Sequence, residues 1–220
     1  MAQRTQCRIG RLRFDVLTHR YGSRDLPLAV FRLPAGTRSI ASSPLGGGMG
    51  RRSWVINAQV PFSYARRDPQ DHLRELASSL GLRGRGVGML TAAAVPDYSA
   101  ASEGGVDVVA TVGVELVEQA AAPPRTGSPR RAGTINVVVL LPRPMSDAAL
   151  VNAVSTATEA KAQALADVGF NGTGTATDAI CICCPSNGAV QDYGGPRSRS
   201  GSRMARAVHA AVVAGATAHC

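Results

Sequence analysis

Apolar runs separated by turn residues recur along the chain, and their period changes from segment to segment. Short runs rich in β-branched and aliphatic residues, bounded by Gly, Pro, Asn or Asp, are typical of strands. They predict strands at residues 12–18, 28–33, 53–60, 87–94, 106–114, 134–141 and 179–184. The run TINVVVLL at 134–141 is apolar at nearly every position, so we expect it to be a buried central strand.

Three further segments predict helices, at residues 68–80, 146–168 and 202–218. In the first, Pro69 follows Asp68 at a position where its fixed φ suits the first helical turn. In the second, Ser146 can cap the first backbone N–H groups, and Asp147 places a negative charge where the helix dipole favours it.

Two segments lack any period and predict loops. Residues 44–50 are rich in glycine, and residues 120–132 (AAAPPRTGSPRRA) contain three prolines among small residues. We find no internal repeat and no domain boundary. The order of elements therefore predicts a mixed α/β fold, in a single domain over residues 1–220, with a mixed central sheet and about three helices packed on it.

Composition narrows the choice of partners. The 220 residues, 45% of them hydrophobic, are enough for one sizeable core. A net charge of +9 could indicate a nucleic-acid partner, but the arginines are scattered and few aromatic residues lie between them. We therefore expect a solvated basic surface and no nucleic-acid partner. No apolar run approaches the ~20 residues of a membrane span, so we expect a cytoplasmic protein without membrane contact.

Cysteines and histidines do not form a recognisable metal set. Three of the five cysteines crowd into Cys181-Ile-Cys-Cys184, and in a strand Cys181 and Cys184 point to opposite faces. No second cysteine pair or histidine cluster completes a zinc site. We expect a reducing compartment, buried thiols that act as small apolar groups, and no metal ion.

One lysine, Lys161, stands among 24 basic residues, and the other 23 are arginine. With about 100° between helical residues, Lys161 lies about 20° from Leu150, inside an apolar stripe with Ala157 and Leu165. Glu159 lies on the opposite side of the same predicted helix, so it can share a site with Lys161 only if the helix lies between two polar regions. Lys161 is expected to face the protein interior.

A lysine on an apolar helix face has two explanations. Its carbon stem can cover apolar surface while the ammonium reaches water at the edge. Alternatively, the ammonium is buried and either meets a carboxylate or a ligand, or acts as a base or nucleophile. The absence of any other lysine favours the second explanation, because arginine is always protonated and brings a rigid planar fork.

The segment Asn171-Gly-Thr-Gly-Thr-Ala-Thr-Asp178 is a candidate binding loop. Its glycines let the backbone come close to a ligand, and its threonines offer a row of hydroxyl groups before one carboxylate. It is not a P-loop, because no Gly-Lys-Ser/Thr ends it, and it is not a dinucleotide-binding fingerprint, because a strand follows it. Taken alone, it fits a structural turn as well as a binding loop.

Several motifs together resemble the adenosylcobinamide amidohydrolases in order and spacing. They are Gly133-Thr-Ile-Asn136 at the start of a strand, Thr158-Glu-Ala-Lys161 on the next helix and Gly172-Thr-Gly-Thr-Ala-Thr-Asp178 before the next strand. Further matches are Met89-Leu-Thr-Ala-Ala93, Thr111-Val-Gly113, Tyr193-Gly-Gly195 and Arg206-Ala-Val-His209. The resemblance covers about residues 46–214.

The resemblance implies hydrolysis of the amide that joins the aminopropanol arm to the corrin ring of adenosylcobinamide, giving adenosylcobyric acid for cobamide salvage. It implies a corrinoid substrate and no cofactor, and homo-oligomerisation is left open. The implied catalytic residues are Lys161, Asp178, Thr175, Asn136 and Glu159. The implied substrate-binding residues are Asn57, Thr134, Thr158, Gly172, Thr173, Gly174, Thr177, Tyr193, Gly194 and Gly195. Ala176 stands where the resemblance leads us to expect a serine, so Thr175 and Thr177 become the candidate nucleophiles.

These residues suggest a mechanism and leave alternatives open. We expect Lys161 and Asp178 to form a buried, proton-sharing pair next to Thr175. Thr175 or a water molecule would attack, and the Asn136 side chain would hold the oxyanion with backbone N–H groups of the Gly-Thr loop. No G-x-S-x-G elbow supports a Ser-His-Asp triad. A rival mechanism is self-cleavage between Gly133 and Thr134, which creates an N-terminal nucleophile.

A rival function of another class is a non-catalytic corrinoid carrier. The same polar loops would then bind corrin amides without cleaving a bond, and the many arginines would meet the negative charge of a nucleotide-bearing cobamide.

Overall fold

A computed structural model describes residues 4–123 and 133–218, in which the chain forms eleven strands and three helices. The strands are β1 (Thr5–Ile9), β2 (Leu12–Tyr21), β3 (Arg24–Arg32), β4 (Arg38–Ala41), β5 (Gly48–Arg51), β6 (Trp54–Gln59), β7 (Gly86–Thr91), β8 (Ser99–Glu103), β9 (Val106–Gly113), β10 (Thr134–Leu140) and β11 (Ala179–Cys184). The helices are α1 (Pro69–Ser79), α2 (Asp147–Asp167) and α3 (Arg199–Thr217). Most of the predicted loop 120–132, from residue 124 onward, lies outside the described residues.

The strands form two mixed sheets. The first has the order β1-β2-β3-β6-β7 and is antiparallel except between β6 and β7. The second has the order β5-β4-β11-β10-β9-β8 and is antiparallel except between β10 and β11. Parallel neighbours need a long crossover. Helix α1 supplies it between β6 and β7, and α2 supplies it between β10 and β11.

The two sheets face each other, and helices cover their outer faces. Helix α1 packs on the first sheet, and α2 and α3 pack on the second. Between the sheets, the apolar core combines Phe14, Phe31, Val55 and Met89 with Val109, Val138, Cys181 and Cys183. Each sheet is therefore buried on both faces over much of its width, which explains the nearly continuous apolar runs of its central strands.

The mixed α/β class and the three helices are confirmed. The strands are divided between two sheets where we expected one central sheet, because an apolar pattern indicates burial and does not say which strands pair. The apolar pattern also missed the short strands β1, β4, β5 and β8. Of these, β5 lies mainly within the glycine-rich residues 44–50 that predicted a loop. The single-domain organisation stays a prediction.

The prediction of buried thiols is confirmed for the three clustered cysteines. Cys181, Cys183 and Cys184 are buried in β11, and Cys181 and Cys184 point into different apolar clusters on opposite faces of the second sheet. Over residues 4–123 and 133–218 we find no group of three or more His, Cys, Asp or Glu side chains that could hold a metal ion. None of the helices described is long and apolar enough to cross a membrane.

A buried polar network joins the two sheets. Asn57 on β6 donates through Nδ2 to Thr111 Oγ1 on β9 at 2.9 Å, and its Oδ1 accepts from Asn136 Nδ2 on β10 at 2.8 Å. Asn136 Nδ2 also donates to the Leu90 carbonyl of β7 at 2.9 Å. All three network side chains are at most 3% exposed, so water cannot easily replace a lost partner.

We expect Asn57→Ala to lower the free energy of unfolding by about 1–3 kcal/mol, because it removes the buried hydrogen bonds of Asn57 to Thr111 and to Asn136. The double variant Asn57→Ala/Asn136→Ala should cost less than the sum of the two single variants. Urea denaturation measures all three. Asn187→Ala, at an exposed position, is the control and should change stability by less than about 0.5 kcal/mol. Additive single costs would contradict the network.

Candidate active site

The carboxylate of Asp178, directly before β11, gathers four donors. Its Oδ1 accepts from the Ile135 N–H at 2.8 Å and from the Thr175 hydroxyl at 2.6 Å. Its Oδ2 accepts from the Thr175 N–H at 3.0 Å and from the ammonium of Lys161. Because β10 and β11 run parallel, their first residues meet at one edge of the sheet, and this brings Ile135 next to Asp178.

Lys161 reaches this carboxylate from α2. The residue is 6% exposed, and its Nζ forms an ion pair with Asp178 Oδ2. The prediction that Lys161 faces the interior is confirmed, and the ammonium meets a carboxylate instead of reaching water at the edge. The Asp178 side chain is 11% exposed, so each charge depends on the other, because removing one partner leaves an uncompensated charge with little access to water.

Gly174 leaves little room around the ion pair. A Cβ placed on this glycine would overlap both Lys161 Nζ and Asp178 Oδ2. The planar guanidinium of arginine is broader than an ammonium, so the same crowding excludes it. This gives a steric reason why the single lysine of an arginine-rich chain stands at this position.

The loop between α2 and β11 is tied to the segment that follows β9. The Thr173 N–H donates to the Glu118 carbonyl at 2.8 Å, and the Glu118 N–H donates to the Gly174 carbonyl at 2.7 Å. The Ala120 N–H donates to the Thr173 hydroxyl at 3.0 Å. Gly172 lies close under the same segment, where a Cβ would overlap Val117. Gly172 and Thr173 therefore hold the loop in shape.

A pair of threonine hydroxyl groups lies on the other side of Asp178. Thr134 Oγ1 and Thr177 Oγ1 are 2.8 Å apart, and the Thr177 hydroxyl also donates to the Gly133 carbonyl at 3.2 Å. These contacts join the start of β10 to the loop before β11 a second time, beside the Asp178–Ile135 hydrogen bond.

Two cavities flank Asp178 and its loop. The first cavity, of about 470 Å³, is lined by Thr134, Thr177 and Asp178, by Tyr64, and by apolar side chains that include Pro61, Phe62 and Leu90. The second cavity, of about 780 Å³, is lined by Lys161, Thr175 and other polar side chains, namely Glu118, Gln119, Thr158, Glu159, Asn171 and Thr173. Both volumes are typical of small-molecule sites. The Lys161–Asp178 ion pair lies at the boundary between them.

Most of the predicted site residues meet at this boundary. Lys161, Asp178, Thr175, Thr134, Thr177, Gly174, Thr173, Thr158 and Glu159 all line one of the two cavities. Glu159 is exposed and lines the second cavity together with Lys161. The two residues thus line one cavity although they lie on different sides of α2, because the cavity includes the surface of the helix while the lysine reaches inward.

Asn136 and Asn57 lie behind the first cavity and do not line it. The Nδ2 group of Asn136 already donates to Asn57 Oδ1 and to the Leu90 carbonyl, and the residue is 1% exposed. In this arrangement its amide hydrogens do not reach a substrate oxygen. The contacts therefore support neither the oxyanion role expected for Asn136 nor the substrate contact expected for Asn57.

The motif Tyr193-Gly-Gly195 lies away from both cavities. A Cβ on Gly194 would overlap the Ala149 carbonyl of α2, and a Cβ on Gly195 would lie 3.0 Å from Asn152 Oδ1. Tyr193 is 76% exposed. These contacts explain the two glycines by close packing against α2, and they do not support the substrate contacts that we expected from this motif.

Tyr64, which lines the first cavity, and the rings around it belong to no sequence motif. Tyr64 Oη lies 3.1 Å from Nδ1 of His72 on α1, and the rings of Tyr21 and His19 on β2 complete an aromatic group around His72. Burial lowers the pKa of His72, with smaller contributions from Arg66 and His19. Burial also raises the pKa of Tyr64. The only signal in the sequence is that these rings occur in a chain with 4% aromatic residues.

Known proteins match this chain over most of its length, including the residues of the candidate site. The family model described as adenosylcobinamide amidohydrolase matches residues 15–220. The chain is 30% identical over 189 residues to the adenosylcobinamide amidohydrolase of Methanosarcina mazei, covering 82% of this chain and 90% of that protein. It is 31% identical over 191 residues to the adenosylcobinamide amidohydrolase of Halobacterium salinarum, covering 83% and 82%.

We expect Lys161→Met to lower the free energy of unfolding by about 3–5 kcal/mol, because it leaves the Asp178 carboxylate buried without its counter-ion. The double variant Lys161→Met/Asp178→Asn should be more stable than Lys161→Met alone. Lys161→Arg should also be destabilised, although it keeps the charge, because Gly174 and Asp178 crowd the site. Urea denaturation measures all three variants.

The matched control for this series is Arg20→Met. It breaks an ion pair with Asp25 in which the two side chains are 61% and 64% exposed, so the expected cost is only about 0–1 kcal/mol. A Lys161→Met cost as small as that of the control would contradict a buried, mutually dependent pair.

Proposed function

The chain belongs to the adenosylcobinamide amidohydrolase family, and we propose that it cleaves its substrate at the boundary between the two cavities. The function supported by the family and both relatives is amide hydrolysis of adenosylcobinamide in cobinamide salvage. The bond cleaved is the one between the aminopropanol arm and the corrin ring, and the product is adenosylcobyric acid. The observation that carries the location is the Thr175–Asp178–Lys161 arrangement.

In this arrangement Thr175 can act as the nucleophile, Asp178 as its base and Lys161 as the group that orients the base. The Thr175 hydroxyl donates to Asp178 Oδ1 at 2.6 Å, within the distance needed for proton transfer to a base. The Ile135 N–H and the Lys161 ammonium hold the carboxylate in position. A carboxylate fixed in this way can take a proton from Thr175, or from a water molecule bound at the same place.

The proposed reaction proceeds in two stages. The Thr175 proton moves to Asp178 as Oγ1 attacks the amide carbon, and the carbonyl oxygen becomes an oxyanion. Collapse of this intermediate breaks the C–N bond, and Asp178 returns the proton to the leaving aminopropanol nitrogen. Water then hydrolyses the Thr175 ester by the same route. If water is the first nucleophile, a single addition and collapse gives the same products.

Stabilisation of the oxyanion is assigned to the loop and to Lys161. The backbone N–H groups of Ala176 and Thr177 lie in the turn next to Asp178 and have no hydrogen-bond acceptor among the described residues. They replace Asn136 in this role. The positive charge of Lys161 adds long-range stabilisation, which is strong in a site with little water.

Three features of the protein stay predictions. They are its cytoplasmic location, its organisation as a single domain and any assembly into a homo-oligomer.

We expect the purified protein to release aminopropanol from adenosylcobinamide, and Lys161→Met to release it at least about 100-fold more slowly. The assay derivatises the free amine and quantifies it by chromatography, at a temperature where circular dichroism shows the variant folded. Arg20→Met should keep the wild-type rate. A wild type that binds adenosylcobinamide without releasing aminopropanol would support the corrinoid carrier instead.

Substitutions at Thr175 separate the two nucleophiles. If Thr175 attacks, Thr175→Ala should lose activity by about 10³-fold or more, Thr175→Ser should keep much of it, and hydroxylamine should trap a corrinoid acyl group from the wild type. If Thr175→Ala remains within about tenfold of wild type, water is the nucleophile. Intact-mass spectrometry of the active protein tests the rival mechanism, because a full-length mass is incompatible with cleavage between Gly133 and Thr134.

A further inference from the structure

The two cavities differ in size and in the kind of polar group they offer. The first, of about 470 Å³, combines apolar side chains such as Val60, Pro61, Phe62 and Leu90 with the Asp178 carboxylate and several hydroxyl groups, from Ser42, Tyr64, Thr91, Thr134 and Thr177. The polar side chains of the second, of about 780 Å³, are mostly charged or amide groups, from Glu118, Gln119, Glu159, Lys161 and Asn171. Cleavage at their boundary divides the substrate into a part on each side.

The two parts of the substrate differ in the same way. The aminopropanol arm is a three-carbon chain with one methyl group and one hydroxyl, whereas the corrin rim carries several carboxamides. Carboxamides need many hydrogen-bonding partners, and the second cavity offers them in Gln119, Thr158 and Asn171. A small, largely apolar arm with one hydroxyl fits the first cavity, which offers apolar side chains beside hydroxyl groups that can bond to that hydroxyl.

Tyr64 supplies a polar partner of this kind. It lines the first cavity, and its hydroxyl is the polar end of its aromatic ring. The ring is held by stacking on His72, with centroids 5.6 Å apart and planes at 21°. It also contacts Tyr21, at 5.7 Å between centroids. The Tyr64 N–H donates to the Pro61 carbonyl at 2.9 Å in a turn, so backbone and ring are both fixed.

His72 holds the hydroxyl itself. Its Nδ1 lies 3.1 Å from Tyr64 Oη, and the residue is 4% exposed on α1. A phenol hydroxyl carries one hydrogen and two lone pairs, so the bond to His72 leaves further hydrogen-bonding capacity for a ligand. A hydroxyl already fixed in direction loses little entropy when it binds.

We infer that the first cavity binds the aminopropanol arm of the substrate, and that the Tyr64 hydroxyl, positioned by His72, hydrogen-bonds to the hydroxyl group of that arm. This inference rests on the proposed function. It assigns Tyr64 as a specificity-determining residue and His72 as a positioning residue, and it places the corrin ring on the side of the second cavity.

The test compares two substrates, adenosylcobinamide and an analogue whose arm is propylamine and therefore lacks the hydroxyl. Tyr64→Phe should lower kcat/KM for adenosylcobinamide about tenfold, as expected for one lost hydrogen bond, and should change kcat/KM for the analogue by less than about twofold. Tyr98→Phe is the matched control, because Tyr98 packs on Phe14 at 5.0 Å and lines neither cavity. It should leave both substrates unchanged.

Two substitutions at His72 test its positioning role. Asn can place an acceptor near the position of Nδ1, so His72→Asn should keep the preference for adenosylcobinamide over the analogue. His72→Leu cannot, and should reduce that preference towards the level of Tyr64→Phe. If His72→Leu does not fold, the comparison of His72→Asn with Tyr64→Phe still decides: a preference lost in both would overturn the assignment of His72.

The outcomes separate this inference from the proposed function. A wild type that cleaves neither substrate contradicts the proposed function. A wild type that cleaves both, with an equal loss for both in Tyr64→Phe, leaves the proposed function intact and overturns the contact between Tyr64 and the arm.

Discussion

The site depends on one buried carboxylate and the four donors around it. The donors to Asp178 come from three parts of the fold: Lys161 from α2, the Ile135 N–H from β10, and the hydroxyl and N–H of Thr175 from the loop before β11. Because a buried carboxylate is costly unless its charge and its lone pairs are met, these parts must come together when the chain folds. The absence of a side chain at Gly174 and the compact ammonium at position 161 both follow from the same crowding.

The fold brings one end of each parallel strand pair, β6–β7 and β10–β11, to the first cavity beside Asp178. In the first sheet β6 and β7 run parallel and finish near Val60 and Thr91, and in the second β10 and β11 run parallel and begin at Thr134 and Ala179. All four residues line the first cavity. The hydrogen bond from Asn136 to Asn57 joins the sheets just behind it, so the polar network fixes the spacing across which the cavity opens. Buried polar groups in this position set geometry, which an apolar core alone would set less strictly.

Local patterns in the sequence predicted local structure well. Apolar period and capping residues predicted the three helices, and the helical wheel placed Lys161 on the buried face, because both depend on residues only a few positions apart. The division into two sheets and the strand pairing depend on distant contacts that no period encodes. The same limit applies to the candidate site: the motif predicted the loop residues around Asp178, whereas Tyr64 and His72 belong to no motif. The roles expected for Asn136 and Asn57 are not supported by their contacts, because an asparagine amide can serve a structural network as well as an oxyanion.

A buried ion pair is weak evidence for stability, since replacing both partners by apolar residues of similar volume is often neutral or favourable. Stability alone therefore does not explain why Lys161 and Asp178 are both charged. Their position favours a chemical explanation. The pair lies between the two cavities, and a threonine hydroxyl donates to the carboxylate at 2.6 Å. The donors that meet the charge of Asp178 also fix the direction in which it can accept a proton. A structural bridge would need only the first property, whereas amide hydrolysis needs both.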